Sequence, residues 1–444
     1  MLNPITSAKV YILGDLLALK QDPLGFLTSC MQRGQRTVNL RFFNRSGIML
    51  CQPDDIEHVF VADAAFYNKP IWLKSGPVRR LLGNGMVSAD GDEWRKQRRD
   101  AAPGFQPHRI FTLIGPMSEI ITKAVSPWKV GQVIDLSREM SQLTMRIVVQ
   151  TLFGTIDQDE THDLSNAFDT LMTRFAAPES MLGLRALVLP TMPSAAERKA
   201  GIILRRLARR LIDESKSEVV PRPLMHSMAK ASPAALTPTD IVDHVLTFIS
   251  AGHESSALVL SWLWLLLSQS PRYYDEVCHE VHSVVGSEQP GEQHFNAMPK
   301  TKAALMETMR LFPPLWITGR EARETRQIDG RTVNRGDQVI ASPWAMHRSP
   351  QYFANPNEFV PERWTDEFES TLPRFAYFPF GGGPRICIGM GFAYTEMLSI
   401  VCHILQRVRP EVVLDKTLKP VASMTLRPSV PIRAKLTPRS QVFH

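Results

Sequence analysis

Cys387 stands in the run Phe378 to Ala393, FPFGGGPRICIGMGFA, with three glycines ahead of it, Arg385 two positions before and Gly389 two after. A lone cysteine ordinarily packs as a small apolar residue. Here a helix is expected to begin just after it, and backbone N–H groups with the helix dipole favour a thiolate. Glycines let a backbone come close to a flat, bulky group. A thiolate on one face of a large cofactor, with an arginine for its acid groups, accounts for the set. A phosphate loop does not, because no Gly-Lys-Ser/Thr follows and the spacing fits no dinucleotide fingerprint.

Three further stretches could carry chemistry. AGHESS, Ala251 to Ser256, puts a glycine and an acid inside an apolar helical run, where both are locally unfavourable. On the residues alone it reads as a kink around a satisfied polar pocket. Ala251 and Ser255 are four apart and share a face. ETMR sets Glu307 and Arg310 three apart on one helix face, an ordinary surface ion pair or a buried one. WRKQR offers Trp94 and Arg98, two hydrogen-bond donors, or a core tryptophan beside a surface arginine.

The elements that must position these groups follow from periodicity. Thr37 to Pro53 reads as two strands around a turn at Asn44 to Gly47. Arg326 to Trp344 reads as short strands punctuated by Asp329-Gly330 and Arg335-Gly336, and Glu411 to Leu436 as more strand and turn. Thr237 to Ser268, Ala195 to Glu218 and Thr301 to Leu311 read as helices. Val219 to Pro238 and Val285 to Pro299 read as surface loops. The expectation is a mainly α chain with small β-sheets at both ends. Length alone would suggest about three domains, but no linker separates them. One large domain is expected, with a β-containing part at about 30–65, a helical core at about 85–320 and the cysteine loop at 378–393.

Bulk properties exclude several classes. Of 444 residues, 44% are apolar, and the net charge is only +7. No face combines basic with aromatic residues as nucleic-acid binding requires. The basic runs Trp94 to Asp100 and Arg205 to Asp213 read as solvated helix faces or as contacts for an acidic protein. Five scattered cysteines, Cys30, Cys51, Cys278, Cys387 and Cys402, form no CxxC pair, which argues against a disulfide framework or zinc site. The start of the chain lacks the pattern of a signal peptide. The run Ala257 to Leu267 is too short to span a bilayer. A cytoplasmic protein without a membrane span is expected.

FGGGPRICIG, Phe380 to Gly389, resembles the cysteine loop of the cytochrome P-450 haem-thiolate monooxygenases, Phe-x-x-Gly-x-Arg-x-Cys-x-Gly, at every fixed position. The resemblance implies the cytochrome P-450 fold and haem b (iron protoporphyrin IX). Cys387 would be the axial iron ligand, Arg385 would bind a propionate, and Phe380 and Gly389 would lie beside the sulfur. Thiolate ligation favours O–O cleavage in this class. The family buries the Glu307–Arg310 pair and joins it to an arginine from a PERW loop, here Arg363, in a structural role. In AGHESS, Ala251 would border the haem, while Glu254 and Ser255 would deliver protons. Ser255 departs from the usual threonine, losing a methyl and its stiffness at χ1. Trp94, Arg98 and Arg320 (in WITGREA) would serve the propionates. Aligned pocket positions are Thr247, Ser250, Ala251, Leu315, Ile317 and Met424. The motifs run in family order from Trp94 to Gly389.

The implied reaction inserts one atom of dioxygen into a hydrophobic molecule, a terpenoid, steroid, fatty acid or polyketide-like substrate. Electrons would come from a ferredoxin or flavodoxin with its reductase, docked partly by Arg95, Lys96 and Arg99. A monomer is expected. A haem-thiolate isomerase, a haem sensor or electron carrier, and a peroxide-driven enzyme remain as rivals, which the Glu254–Ser255 pair disfavours as far as it bears on them.

Overall fold

Apolar residues on every side of a helix mark it for the interior, and the stretch after Pro238 is of this kind. The computed structural model describes residues 15–42, 45–74, 79, 83–154, 156–173, 194–215 and 238–439. Its principal helices are α1 (Gly91–Ala101), α2 (Ile114–Val125), α3 (Leu136–Leu152), α4 (Gln158–Thr173), α5 (Ala195–Ser215), α6 (Pro238–Gln269), α7 (Pro299–Leu311) and α8 (Met390–Leu405). Helix α6 is the axis of the fold. Proline opens it, where a missing N–H costs nothing, and Val245, Leu260, Leu263, Trp264 and Leu267 are fully or almost fully buried along it. Helix α3 lies close against it. A Cβ on Gly252 would come within 3.0 Å of Val148 Cγ2, and Thr144 Oγ1 donates to the His253 carbonyl at 3.0 Å.

The sheets are small. Strands β1 (Thr37–Phe42), β2 (Arg45–Leu50), β3 (Tyr67–Asn68), β5 (Thr318–Ala322) and β8 (Gln338–Ala341) form one sheet in the order β1-β2-β8-β5-β3. Strand β4 (Val133–Asp135) pairs with β12 (Arg433–Pro438), which pairs with β9 (Val408–Val412). Strands β6 (Arg326–Ile328) and β7 (Arg331–Val333) close around Asp329 and Gly330, with φ of 49° and 68°, the conformation that favours Asp-Gly in a tight hairpin. Strands β10 (Pro420–Ala422) and β11 (Leu426–Pro428) make a C-terminal hairpin. The fold is mainly α with small sheets, in a single domain.

Three expectations change. Phe42 pairs directly with Arg45, so Arg45 to Gly47 belong to β2 and not to the turn. The 285–299 loop contains a helical turn, Glu292–Asn296, held by a bond from Gly291 N to His294 Nδ1 at 3.0 Å. Most of the Val219 to Pro238 loop, and the end of the expected 195–218 helix, lie outside the described residues. Among the described residues no helix is long and apolar enough to cross a membrane.

Candidate functional site

Cys387 sits in the turn just before α8, its N–H bonded to the Phe380 carbonyl at 2.9 Å. Cys387 is an exposed residue although protein packs densely around it. Burial pushes the free thiol above its ordinary range, and the Gly389 N–H and Arg98 offset this only in part. The Gly389 N–H thus favours the thiolate, as expected of a helix start, while burial opposes it.

The glycines ahead of the cysteine pack closely against protein. Gly381 and Gly383 have φ of 70° and 66°. A Cβ on Gly382 would overlap the Phe375 ring at 2.3 Å, and one on Gly383 the Phe60 carbonyl oxygen at 2.0 Å. Close packing against protein accounts for the missing side chains at Gly382 and Gly383. Gly389 borders the sulfur: a Cβ there would meet Cys387 Sγ at 3.9 Å and Phe105 at 3.8 Å. Phe105 in turn stacks on Phe248 of α6, with ring centroids 5.5 Å apart, which sets the cysteine turn beside the central helix. Phe380 packs on Tyr394, 5.5 Å between centroids.

Cations gather next to this turn. Arg98 Nη1 donates to the Ile386 carbonyl at 2.8 Å. Arg385 Nη2 bonds Asp90 Oδ1 at 2.7 Å and the Tyr67 carbonyl at 3.2 Å, while its buried Nη1 has no partner. Arg320 is buried over the Phe60 ring, 3.8 Å to the centroid, and donates to its neighbour's carbonyl, Gly319 O, at 2.8 Å. Lys69 donates to the Met86 and Val87 carbonyls. Trp94 is buried among them, with Lys69, Arg98 and Arg385 at 5.9, 5.9 and 5.0 Å from its ring. Burial, helped by Arg385, pulls Lys69 down to about 7 and Arg320 to about 9. Burial would raise Asp90, but Arg385 and the N–H groups of Lys69 and Gly91 more than offset it and hold the carboxyl below its usual range. The buried Arg385 Nη1, without a partner among the described residues, and the buried cation Arg320 fit a haem whose propionates would supply anions. Lys69 and Asp90 escaped the sequence reading, because YNKP and SADG look like ordinary loop text.

On α6, Ala251 is exposed although Val245 to Ser250 before it and His253 and Glu254 after it are buried. Ser255 Oγ donates to the Ala251 carbonyl at 2.9 Å. Glu254 does not bond Ser255. Its Oε1 accepts from Thr425 Oγ1 at 2.6 Å and Arg427 Nε at 2.7 Å. Among the pocket positions, Leu315 is half-exposed, Ile317 and Met424 pack with apolar neighbours, and Ser250 is buried. Thr247 is buried beneath Gly85, whose Cβ would strike its hydroxyl at 2.0 Å. Thr247 thus supports a loop; Ala251 and Leu315 are the positions that present surface.

The ion triad is in contact. Arg310 Nε and Nη2 bond Glu307 Oε2 and Oε1, each at 2.8 Å, with both side chains wholly buried, and Arg363 Nε reaches Glu307 Oε1 at 3.2 Å. The Val360 N–H and Trp364 Nε1 complete the acceptor shell of Glu307. One acid went unread: Glu396, a lone charge in the apolar α8, is fully buried with neither oxygen hydrogen-bonded, and burial pushes it to about 8 despite the Ser256 hydroxyl. A separate surface cavity of about 460 Å³ between α2, residues 287–290 and the end of α8 holds none of the predicted site residues.

Comparison with known proteins agrees with this geometry. A family model described as Cytochrome P450 matches residues 4–436. Cyclooctatin synthase of Streptomyces melanosporofaciens is 30% identical over 96% of this chain and 94% of its own. Cyclooctat-9-en-7-ol 5-monooxygenase of the same organism is 30% identical over 94% of this chain and 90% of its own. Pentalenene oxygenase of Streptomyces avermitilis is 27% identical over 97% and 96%.

Proposed function

This chain belongs to the cytochrome P450 family, and from that premise we propose that its substrate is a polycyclic, largely hydrocarbon terpenoid. The protein is a haem-dependent monooxygenase that acts on a hydrophobic molecule with dioxygen and electrons from a redox partner. The haem, when bound, supplies dioxygen activation; the chain's residues bind it, orient the substrate and move protons. Relatives named for cyclooctat-9-en-7-ol and pentalenene support the substrate class. So does the apolar character of Ala251, Leu315, Ile317 and Met424.

In this reading Cys387 gives the axial thiolate. Arg98, Arg320, Arg385 and Trp94 hold the propionates, and Lys69 adds charge there. Glu254 and Ser255 move protons into the distal cavity, and Glu307, Arg310 and Arg363 brace the proximal side. The observation that carries it is the accessible Cys387 beside a cluster of arginines in which the buried Arg385 Nη1 has no partner among the described residues. A ferredoxin or flavodoxin is the electron donor, to a cytoplasmic monomer. Arg95, Arg99 and Lys96 lie on α1, the helix that also carries Trp94 and Arg98, with Arg95 and Arg99 exposed. Reversing these three charges slows reduction by the partner, most at low salt; an unchanged rate removes them from the docking face.

Titrating the holoenzyme with cyclic terpene hydrocarbons and alcohols, against fatty acids and steroids, tests the substrate class. The expected result is a low- to high-spin shift with the terpenes at the lowest concentrations. Shifts only with fatty acids or steroids overturn it.

A further inference from the structure

We infer that the outer face of the sheet β4-β12-β9 docks on an anionic lipid bilayer. Aliphatic side chains at its two edges enter the headgroup region, and cations on its central strand meet lipid phosphates. Nothing in this docking depends on which substrate the haem site takes.

Strand β12 lies between β4 and β9. Residues opposite one another on neighbouring strands project to the same side. Val133 is paired with Lys435, and Lys435 with Glu411. Asp135 is paired with Arg433, whose carbonyl accepts from Val413 N at 2.8 Å. These side chains therefore share one face. The opposite face carries Ile134, Ala434, Leu436 and Val408, all buried in the main core. The sheet is thus anchored by one side and meets solvent with the other.

A solvated sheet face is ordinarily polar, and this one is not. Of the eight large apolar residues exposed among the described residues, four belong to this sheet and its turns: Val130 at 56%, Val133 at 57%, Val413 at 54% and Leu414 at 61%. Val130 lies in the turn that enters β4, fixed by the bond from Gly131 N to the Leu436 carbonyl at 2.7 Å. Leu414 follows Val413 at the end of β9. The four sit at opposite corners of the sheet, with Arg433 and Lys435 between them.

The charges favour an anionic partner. Lys129, Lys416, Arg433 and Lys435 are exposed and make no ion-pair contact among the described residues. The acids beside them are engaged. Asp135 Oδ1 accepts from Arg138 N at 3.1 Å, at the start of α3. Asp415 Oδ1, with Arg433 nearby, accepts from Thr417 N and Oγ1 at 2.8 and 2.7 Å. Glu411 lies 3.6 Å from Arg409. A second copy fits this face poorly, because a symmetry axis through β12 would set Arg433 and Lys435 against their own copies. Protein hot spots are rich in aromatic residues, and nucleic acid stacks on them, whereas the apolar groups here are valine and leucine. A bilayer uses both features: aliphatic groups reach the headgroup–acyl boundary while lysine and arginine meet the phosphates. Hydrophobic molecules concentrate in the same bilayer, so docking brings the enzyme to its substrate.

The test mixes the holoprotein at low salt with sucrose-loaded vesicles of phosphatidylcholine and phosphatidylglycerol, or of phosphatidylcholine alone, and reads the haem absorbance that sediments. The native protein should sediment with the anionic vesicles, far less with the neutral ones, and should be released as salt rises. The salt titration needs no variant, so it stands even if a variant fails to fold. Arg433→Gln combined with Lys435→Gln should weaken binding about tenfold or more, since each cation near such a surface contributes about fivefold. Val130→Asp combined with Leu414→Asp should weaken it as much while leaving those cations in place. An unchanged haem spectrum shows that each variant is folded. No sedimentation of the native protein with anionic vesicles, equal sedimentation with neutral ones, or binding indifferent to both double variants overturns the proposal. A dimer in solution that Leu414→Asp breaks gives the face to a second copy, and a DNA duplex bound more tightly than the anionic vesicles gives it to nucleic acid; either result overturns it too.

Discussion

The Phe378 N–H, at the start of the cysteine loop, donates to Nε2 of His347 at 2.9 Å, and the His347 carbonyl accepts from Arg310 Nη1 at 2.8 Å. The buried ion triad thus reaches the cysteine loop through one imidazole. Arg310 also donates to the Pro356 and Glu358 carbonyls, so its guanidinium organises the whole 347–360 crossing.

Removing one partner from such a network leaves a buried charge uncompensated. Arg310→Ala should cost about 3–5 kcal/mol of stability and reduce the haem retained on purification. Chemical denaturation with haem absorbance as the second signal checks both. Loss of stability with full haem retention would show that the triad does not support the cysteine loop.

His347 must stay neutral to accept from Phe378. Burial, reinforced by Arg310 and Arg348, pulls it well below its ordinary value. The unfolded chain takes up this proton at about pH 6.5, while the folded chain refuses it. Stability is therefore full above that pH and falls as pH drops below it. His244, His253 and His403 are lowered by burial too and add to the slope. Thermal unfolding of His347→Asn between about pH 7 and 5 should show a shallower slope, by about one proton. An unchanged slope would mean that His347 is not kept neutral.

Arg320 is a buried cation that donates to its own neighbour's carbonyl. Arg320→Leu should make the haem-free protein more stable, by about 1–4 kcal/mol, as an apolar side chain replaces a poorly paired charge. The same variant should bind haem more weakly. Calorimetry of the haem-free protein and haem titration separate the two effects. A variant that weakens both would make Arg320 a structural residue alone.

Much of this was legible because particular chemistry needs particular spacing. The proximity of Glu307 and Arg310 could be read from helix periodicity, which puts residues three apart on one face; the cysteine loop and the joining of Arg363 to the pair came from the resemblance to the family. The long central helix could be read from its apolar run, and the Asp329-Gly330 hairpin from its turn chemistry. What could not be read depends on long-range approach. Gly382 and Gly383 are small because of Phe375 and Phe60, more than three hundred residues away in the latter case. Lys69 and Asp90 join the cation cluster, and Arg427 meets Glu254 across 173 positions, by tertiary packing that no local pattern encodes.

Ser255 keeps the hydroxyl of the usual threonine without its methyl, and its proton is bonded to Ala251 O at 2.9 Å. A χ1 free of β-branching lets the hydroxyl leave its position more readily. Peroxide released per NADPH oxidised should fall in Ser255→Thr. No decrease would mean that the serine is as well positioned as a threonine.

The central claim is that Cys387 binds haem iron as a thiolate with the opposite face open. The most direct measurement is the carbon monoxide difference spectrum of the dithionite-reduced holoprotein, with Cys387→His alongside. The account predicts a strongly red-shifted Soret band in the native protein and its loss in the variant. An unshifted band in the native protein, or a red-shifted band that survives in the variant, would contradict it.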